Sequence, residues 1–333
     1  MRRMTGSLSS LFIAIVGVCL SPLALLGQST DSAAVHMVVT LESTRDDTAP
    51  AQLNREDVFV KQAKNRLKVT DWIPARGNAA ALQLFLLIDD TCDTALGSHL
   101  EDLRSFINAQ PATTVVAVGY MRNSTVNIAQ NFTPDHALAA KALRLPLASV
   151  GAQDSPYLSL IDLLKRWPAS KVRREVLMVS DGIDRLRGYN TPSGRSRRYQ
   201  TMPSISPDAD SASDVSQRSG VIIHTIYSPG IGRANRNYYE AQTGVSGITK
   251  LSDETGGESF YLSLQNPVSF KPYMDRLQTI LDNQYFLVFL AKPNNKGGLQ
   301  RVQLDTEVPS VELVAADNVW VPGIADSSSK NKK

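Results

Sequence analysis

Leu84-Phe85-Leu86-Leu87-Ile88 is a continuous apolar run that ends in Asp89-Asp90-Thr91-Cys92-Asp93. An unbroken apolar run of strand length indicates a strand buried on both faces, and in α/β sheets ligands bind at the carboxyl ends of such strands. The acids therefore stand where binding or chemistry is expected. A second run, Val176-Leu177-Met178-Val179, ends the same way in Ser180-Asp181-Gly182-Ile183-Asp184. Two carboxylate-bearing loops then converge on one edge of the sheet, and hard oxygen ligands from separate loops suit a divalent cation.

Outward from this junction, strands and helices alternate over 79–283, the pattern of a mostly parallel sheet joined by right-handed crossovers. The spacing predicts a helix over 97–107, paired strands over 113–120 and 125–130, and a helix over 134–143 with Thr133 as N-cap. Further helices are predicted over 157–167, 248–254 and 268–283, with strands over 175–179, 220–228 and 259–262. On either side the pattern is all-β: runs over 35–42, 57–61 and 66–73 before it, and over 285–291, 299–306 and 311–321 after it. Three strands at each end are too few for two independent sheets. The expectation is one small β-sandwich built from 29–78 and 284–323, with the α/β domain inserted in it.

Residues 1–28 have the pattern of a secretory signal peptide: Arg2 and Arg3, an apolar stretch from Leu11 to Leu26, then small and polar residues. The apolar stretch is short for a span and is interrupted by Ser21 and Pro22, which points to cleavage and an exported chain with no stable membrane span afterwards. Cleavage removes two of the 35 basic residues and none of the 32 acidic ones, leaving 33 against 32. A near-neutral mature chain gives no electrostatic case for nucleic acid. Cys19 leaves with the signal, so Cys92 has no partner for a disulfide within the mature chain. Residues 324–333 are expected to form a polar, disordered tail.

Taken together, these features resemble the von Willebrand factor A (VWFA) fold, in particular exported VWFA-related proteins of the acidobacterial type. The matching stretches run in family order: Leu84 to Asp93, Phe132-Thr133-Pro134-Asp135, Ser155 to Leu163, Val176 to Asp184, and Leu251 to Gly257. The flanking Asp57-Val58-Phe59-Val60 hairpin and the Gln284-Tyr285 strand belong to the likeness. It implies a Rossmann-like α/β domain with helices on both faces of a central, mostly parallel sheet. It also implies a metal-ion-dependent adhesion site at Asp89, Thr91, Asp93, Ser155 and Asp181, holding Mg²⁺ or Ca²⁺. Thr91 keeps the hydroxyl of that pattern, whereas Asp93 puts a carboxylate where the family carries a hydroxyl, and Ser155 stands in for a threonine. The alternative for these acids is that they cap helix N-termini and bind no ion.

No Gly-x-Ser-x-Gly elbow, Walker loop or His-Glu-x-x-His occurs. Aspartyl phosphatases place a nucleophilic Asp at a strand tip with an acid two residues on, but here that residue is Thr91. His36, His99, His136 and His224 are scattered and read as structural or solvent-facing, and Cys92 as a small buried side chain whose acidic neighbours disfavour the thiolate. The basic and aromatic stretch from Arg185 to Ser219 reads as a solvated or partner-binding excursion. The expected function is an exported, non-enzymatic protein-binding or adhesion module. A structural or assembly component of the cell envelope is the alternative, and an aspartate-dependent phosphohydrolase comes third.

Overall fold

A computed structural model describes residues 32–45, 49–151, 153–186, 205–232 and 237–323. The expected signal peptide, the tail, and residues 187–204 of the excursion expected over 185–219 lie outside the described residues, while Pro207–Ser219 of that excursion is helical. The chain opens with β1 (Ala33–Ser43), β2 (Val58–Gln62) and β3 (Asn65–Pro74), then enters the apolar run as β4 (Leu82–Asp89), buried throughout except at half-buried Gln83. A 3₁₀ turn over Thr94–His99 leads into α1 (Leu100–Asn108). Next come β5 (Thr114–Arg122) and β6 (Thr125–Thr133), a hairpin whose turn residues Asn123 and Ser124 both have positive φ, the twist that suits a two-residue hairpin loop. The helix α2 (His136–Lys141) is capped by Asp135 rather than by Thr133, which ends β6 and accepts from the Asp135 N–H.

The remaining α/β elements are α3 (Pro156–Arg166), β7 (Arg173–Ser180), α4 (Pro207–Ser219), β8 (Ile222–Tyr227), α5 (Tyr238–Thr255), β9 (Ser259–Phe260) and α6 (Lys271–Asp282). The helix α5 is longer than the predicted 248–254, because Asn237 caps its start. Its end is set by Gly256 in the left-handed region. Strand order is β6-β5-β4-β7-β8-β9, with β6 antiparallel and the rest parallel. The continuous apolar run of β4 follows from this placement. Leu82, Leu84, Leu86 and Ile88 pack with α1, α2 and α6, while Phe85 and Leu87 face the opposite layer with α3, α4 and α5.

The chain then forms β10 (Gln284–Ala291), β11 (Gly298–Arg301), β12 (Gln303–Thr306), β13 (Val311–Ala315) and β14 (Asn318–Val321). The terminal strands make a six-stranded antiparallel sheet in the order β12-β2-β3-β10-β1-β13, with β11 and β14 as a separate two-stranded ribbon. Sheet and ribbon share one core, including Val39, Val60, Leu287, Phe289 and Val321. The single runs 299–306 and 311–321 each break in two, because the chain leaves the ribbon at Val302 and rejoins it after 316–317. The strands that enter and leave the α/β part, β3 and β10, pair directly, and Trp72 stacks on Tyr285 at a centroid distance of 4.5 Å. Buried Arg173 ties the two sheets, donating to the carbonyls of Leu281 and Ala80 and to Gln284. Among the described residues no helix is long and apolar enough to cross a membrane.

The β7 loop and α5 touch through glycine. Gly182 has φ +70°, and a Cβ on Gly244 would collide with the Asp181 carbonyl oxygen. Overpacking of a close contact costs roughly 1–3 kcal/mol. Gly244→Ala should therefore lower the unfolding free energy by about that amount in urea titration, with the slope against urea unchanged.

Candidate functional site

Asp89 ends β4 and Asp181 follows β7, so the parallel register of these neighbouring strands brings the two buried carboxylates to one edge. Asp89 accepts from the Thr91 N–H (2.9 Å) and from the Ser180 hydroxyl (2.7 Å). Asp181 accepts from the Ile183 N–H (2.9 Å) and receives the Arg185 guanidinium on both oxygens. The sequence puts Arg185 at the head of a solvent-facing stretch, yet its side chain is only 9% exposed and that of Asp181 is 0%. Nη1 of Arg185 also donates to the Ile183 carbonyl at 3.2 Å.

Asp90, the next residue, is neutralised separately. Arg144 grips it with two bonds of 2.7 and 2.9 Å and lies over the Tyr120 ring at 3.6 Å. The Leu147 N–H adds a third donor. Asp154 arranges the loop before α3: its carboxylate accepts from the Asn123 and Gly151 N–H groups, and its carbonyl accepts from Arg185 and Leu186. The sequence sets Ser180 and the stretch from Arg185 beside this edge without giving either side chain a role there, whereas Arg144 lies 54 residues from Asp90 and carries no sequence signal.

The five predicted ligands do not act as one set. Asp89 and Asp181 share the edge, but Asp93 accepts from the Ala95 N–H at 2.8 Å and caps the 3₁₀ turn, while the Ser155 hydroxyl caps α3 through the Leu158 N–H. The Thr91 hydroxyl is buried and finds no hydrogen-bond partner among the described residues, which is the feature that still fits a cation. Against it, the guanidinium takes both oxygens of Asp181. Among the described residues no three His, Cys, Asp or Glu side chains are grouped to hold a metal ion. With Arg185 in place the donor set does not fit a divalent cation.

Burial pushes the Asp89 carboxyl up to about 6, helped by the charge of Asp181 and opposed by Arg185 and the Ser180 and Thr91 bonds. Burial would lower the Arg185 pKa, but the charge and hydrogen bonds of Asp181 raise it. Cys92, with Sγ near the carbonyls of Val179 and Ser228, has its thiol pushed well above the ordinary range by burial and by Asp89 and Asp181. That makes it a poor nucleophile at neutral pH. The histidines lie elsewhere in the fold: His224 is buried against Glu175 (2.9 Å), His136 meets the Thr114 carbonyl, and His99 stacks on Phe270.

The strand order just described, with one antiparallel edge strand and helices on both faces, decides the fold. The α/β part is von Willebrand A-like. No family model matches the chain, and no curated protein matches it in sequence. Among solved structures it is similar to the von Willebrand factor type A protein of Catenulispora acidiphila, at 10% identity over 89% of this chain and 76% of that one, with a TM-score of 0.43. It is also similar to an aerotolerance-related membrane protein of Bacteroides fragilis, at 9% identity over 61% of this chain and 99% of that one, with a TM-score of 0.41. A third likeness is to the vWF domain of the type V pili tip protein Mfa5 of Porphyromonas gingivalis, at 12% identity over 63% and 96%, with a TM-score of 0.40.

An Asp raised above its unfolded value stabilises most when protonated, so its contribution is full below about pH 4 and is lost as pH rises through about 6. Asp89→Asn keeps the shape and removes the titration. Between pH 4 and pH 7.5 the stability of Asp89→Asn relative to wild type should rise by about 1–3 kcal/mol, read by urea unfolding at each pH. A constant difference across that range contradicts the assignment.

Proposed function

We propose that this protein is an exported, non-enzymatic binding module that captures a protein partner on the carboxyl edge of its parallel sheet. The observation that carries the reading is where the exposed apolar side chains lie. Of the twelve large hydrophobics exposed among the described residues, nine stand at that edge, on its connections or, for Tyr238 and Tyr239, at the start of α5; the others of the nine include Leu145, Leu147, Val150 and Leu262. The other three, Ile73, Ile128 and Leu138, are scattered over β3, β6 and α2. Exposed aromatic and aliphatic groups gathered on one face mark an interaction surface. The acids beneath them are held by Arg144 and Arg185, so the face offers apolar contact rather than an open ion. The signal-like residues 1–28 support export.

A phosphohydrolase is disfavoured by the same geometry. Asp89 is buried with hydrogen bonds to both oxygens, and Thr91 stands where a general acid is needed.

Immobilised mature protein should retain a partner from the envelope fraction of the source cells, with chelator making no difference. The Tyr238→Ser/Tyr239→Ser/Leu262→Ser variant, checked for native unfolding behaviour, should lose at least about tenfold in retention, as expected for exposed aromatic anchors. Equal retention by that variant, or hydrolysis of generic phosphomonoesters that Asp89→Asn abolishes, overturns the reading.

A further inference from the structure

Arg185 covers both oxygens of Asp181, one of the two buried acids at this edge, and the local bonding explains what it does there. Two carboxylates buried at neighbouring strand ends repel each other and are poorly solvated, so the fold needs a positive charge between the loops that carry them. Arg185 supplies it from four residues beyond Asp181. Its guanidinium meets both Asp181 oxygens, a fork geometry that a lysine ammonium cannot reproduce, and its remaining Nη1 bond goes to the Ile183 carbonyl. Its backbone N–H is fixed by the Asp154 carbonyl at 2.8 Å, and that residue's carboxylate is itself held by two backbone donors. The side chain is thus built into the edge, buried and anchored at both ends. Thr91, in the same loop as Asp89, keeps a buried hydroxyl without a partner among the described residues.

We propose that the Arg185 guanidinium replaces the divalent cation at this edge, so that the protein folds and works without metal and a cation-binding site emerges only when Arg185 is removed. A metal would leave open coordination positions able to recruit an acidic group from a partner. A guanidinium paired in this way offers none. The inference stands independently of the binding reading, because it concerns the charge balance of the edge and is read out in stability.

The test is thermal unfolding of the full mature chain in chelator, Mg²⁺, Mn²⁺ or Ca²⁺ at matched ionic strength, for wild type, Arg185→Met, and Asp181→Asn/Arg185→Met. Wild type should unfold at the same temperature in all four conditions. Arg185→Met should unfold at lower temperature in chelator and recover by about 5 °C or more in at least one metal at saturating concentration. The double variant, which removes the uncompensated charge, should be more stable than Arg185→Met in chelator and should not respond to metal. A metal-dependent rise in the wild type overturns the proposal, as does a folded Arg185→Met that gains no response. Should Arg185→Met fail to fold in any condition, the double variant decides: recovery of folding supports charge replacement, and failure to recover refutes it.

Discussion

Two carboxylates buried side by side need a counter-charge, and meeting that need governs the carboxyl edge of this protein. Asp89 and Asp181 are forced together because β4 and β7 are neighbours in a parallel sheet, paired up to Ile88 and Val179. Neither can escape to solvent. The edge is consequently organised around neutralisation: Arg185 on Asp181, the Ser180 hydroxyl and Thr91 N–H on Asp89, and Arg144 on Asp90. Breaking such a buried pair from one side strands a charge and costs far more than the pair itself contributes. The counter-charge on Asp181 is a side chain of the same loop, Arg185.

The rest of the architecture serves to hold that edge still. Each face of β4 packs into its own helical layer, so the strand tip has no freedom to swing. The loop after β7 is pinned by the close Gly182–Gly244 approach, which lets α5 lie against the Asp181 backbone. Farther away, the terminal sheet closes around the points where the α/β part begins and ends, with β3 paired to β10 and Arg173 bridging between layers. At the edge itself Tyr238, Tyr239 and Leu262 are exposed.

How much of this the sequence discloses depends on whether the governing interaction is local. The β4 run, the β5–β6 hairpin and the helix end at Gly256 are readable, because burial on both faces, a two-residue turn and a helix end each leave a pattern within a few residues. The 299–306 and 311–321 runs look like single strands, since a change of sheet at Val302 alters pairing partners without altering hydrophobicity. For the site, Asp89 and Asp181 follow from strand ends, but the fates of Asp93 and Ser155 do not. A side chain that caps its own turn and one that points at a ligand share the same residue type and spacing. Arg185 is the least legible of all. A basic residue at the start of a polar, Arg-rich stretch looks solvated, and four residues imply contact in a helix but not in an extended loop.

The most direct measurement is a crystal structure of the mature protein grown with Mn²⁺, with anomalous scattering recorded at the metal edge. The account predicts Arg185 density on both oxygens of Asp181 and no anomalous peak at the carboxyl edge of β4 and β7. A manganese peak at roughly 2.0–2.3 Å from Asp89 or Thr91 oxygens, with Arg185 displaced from Asp181, would contradict it.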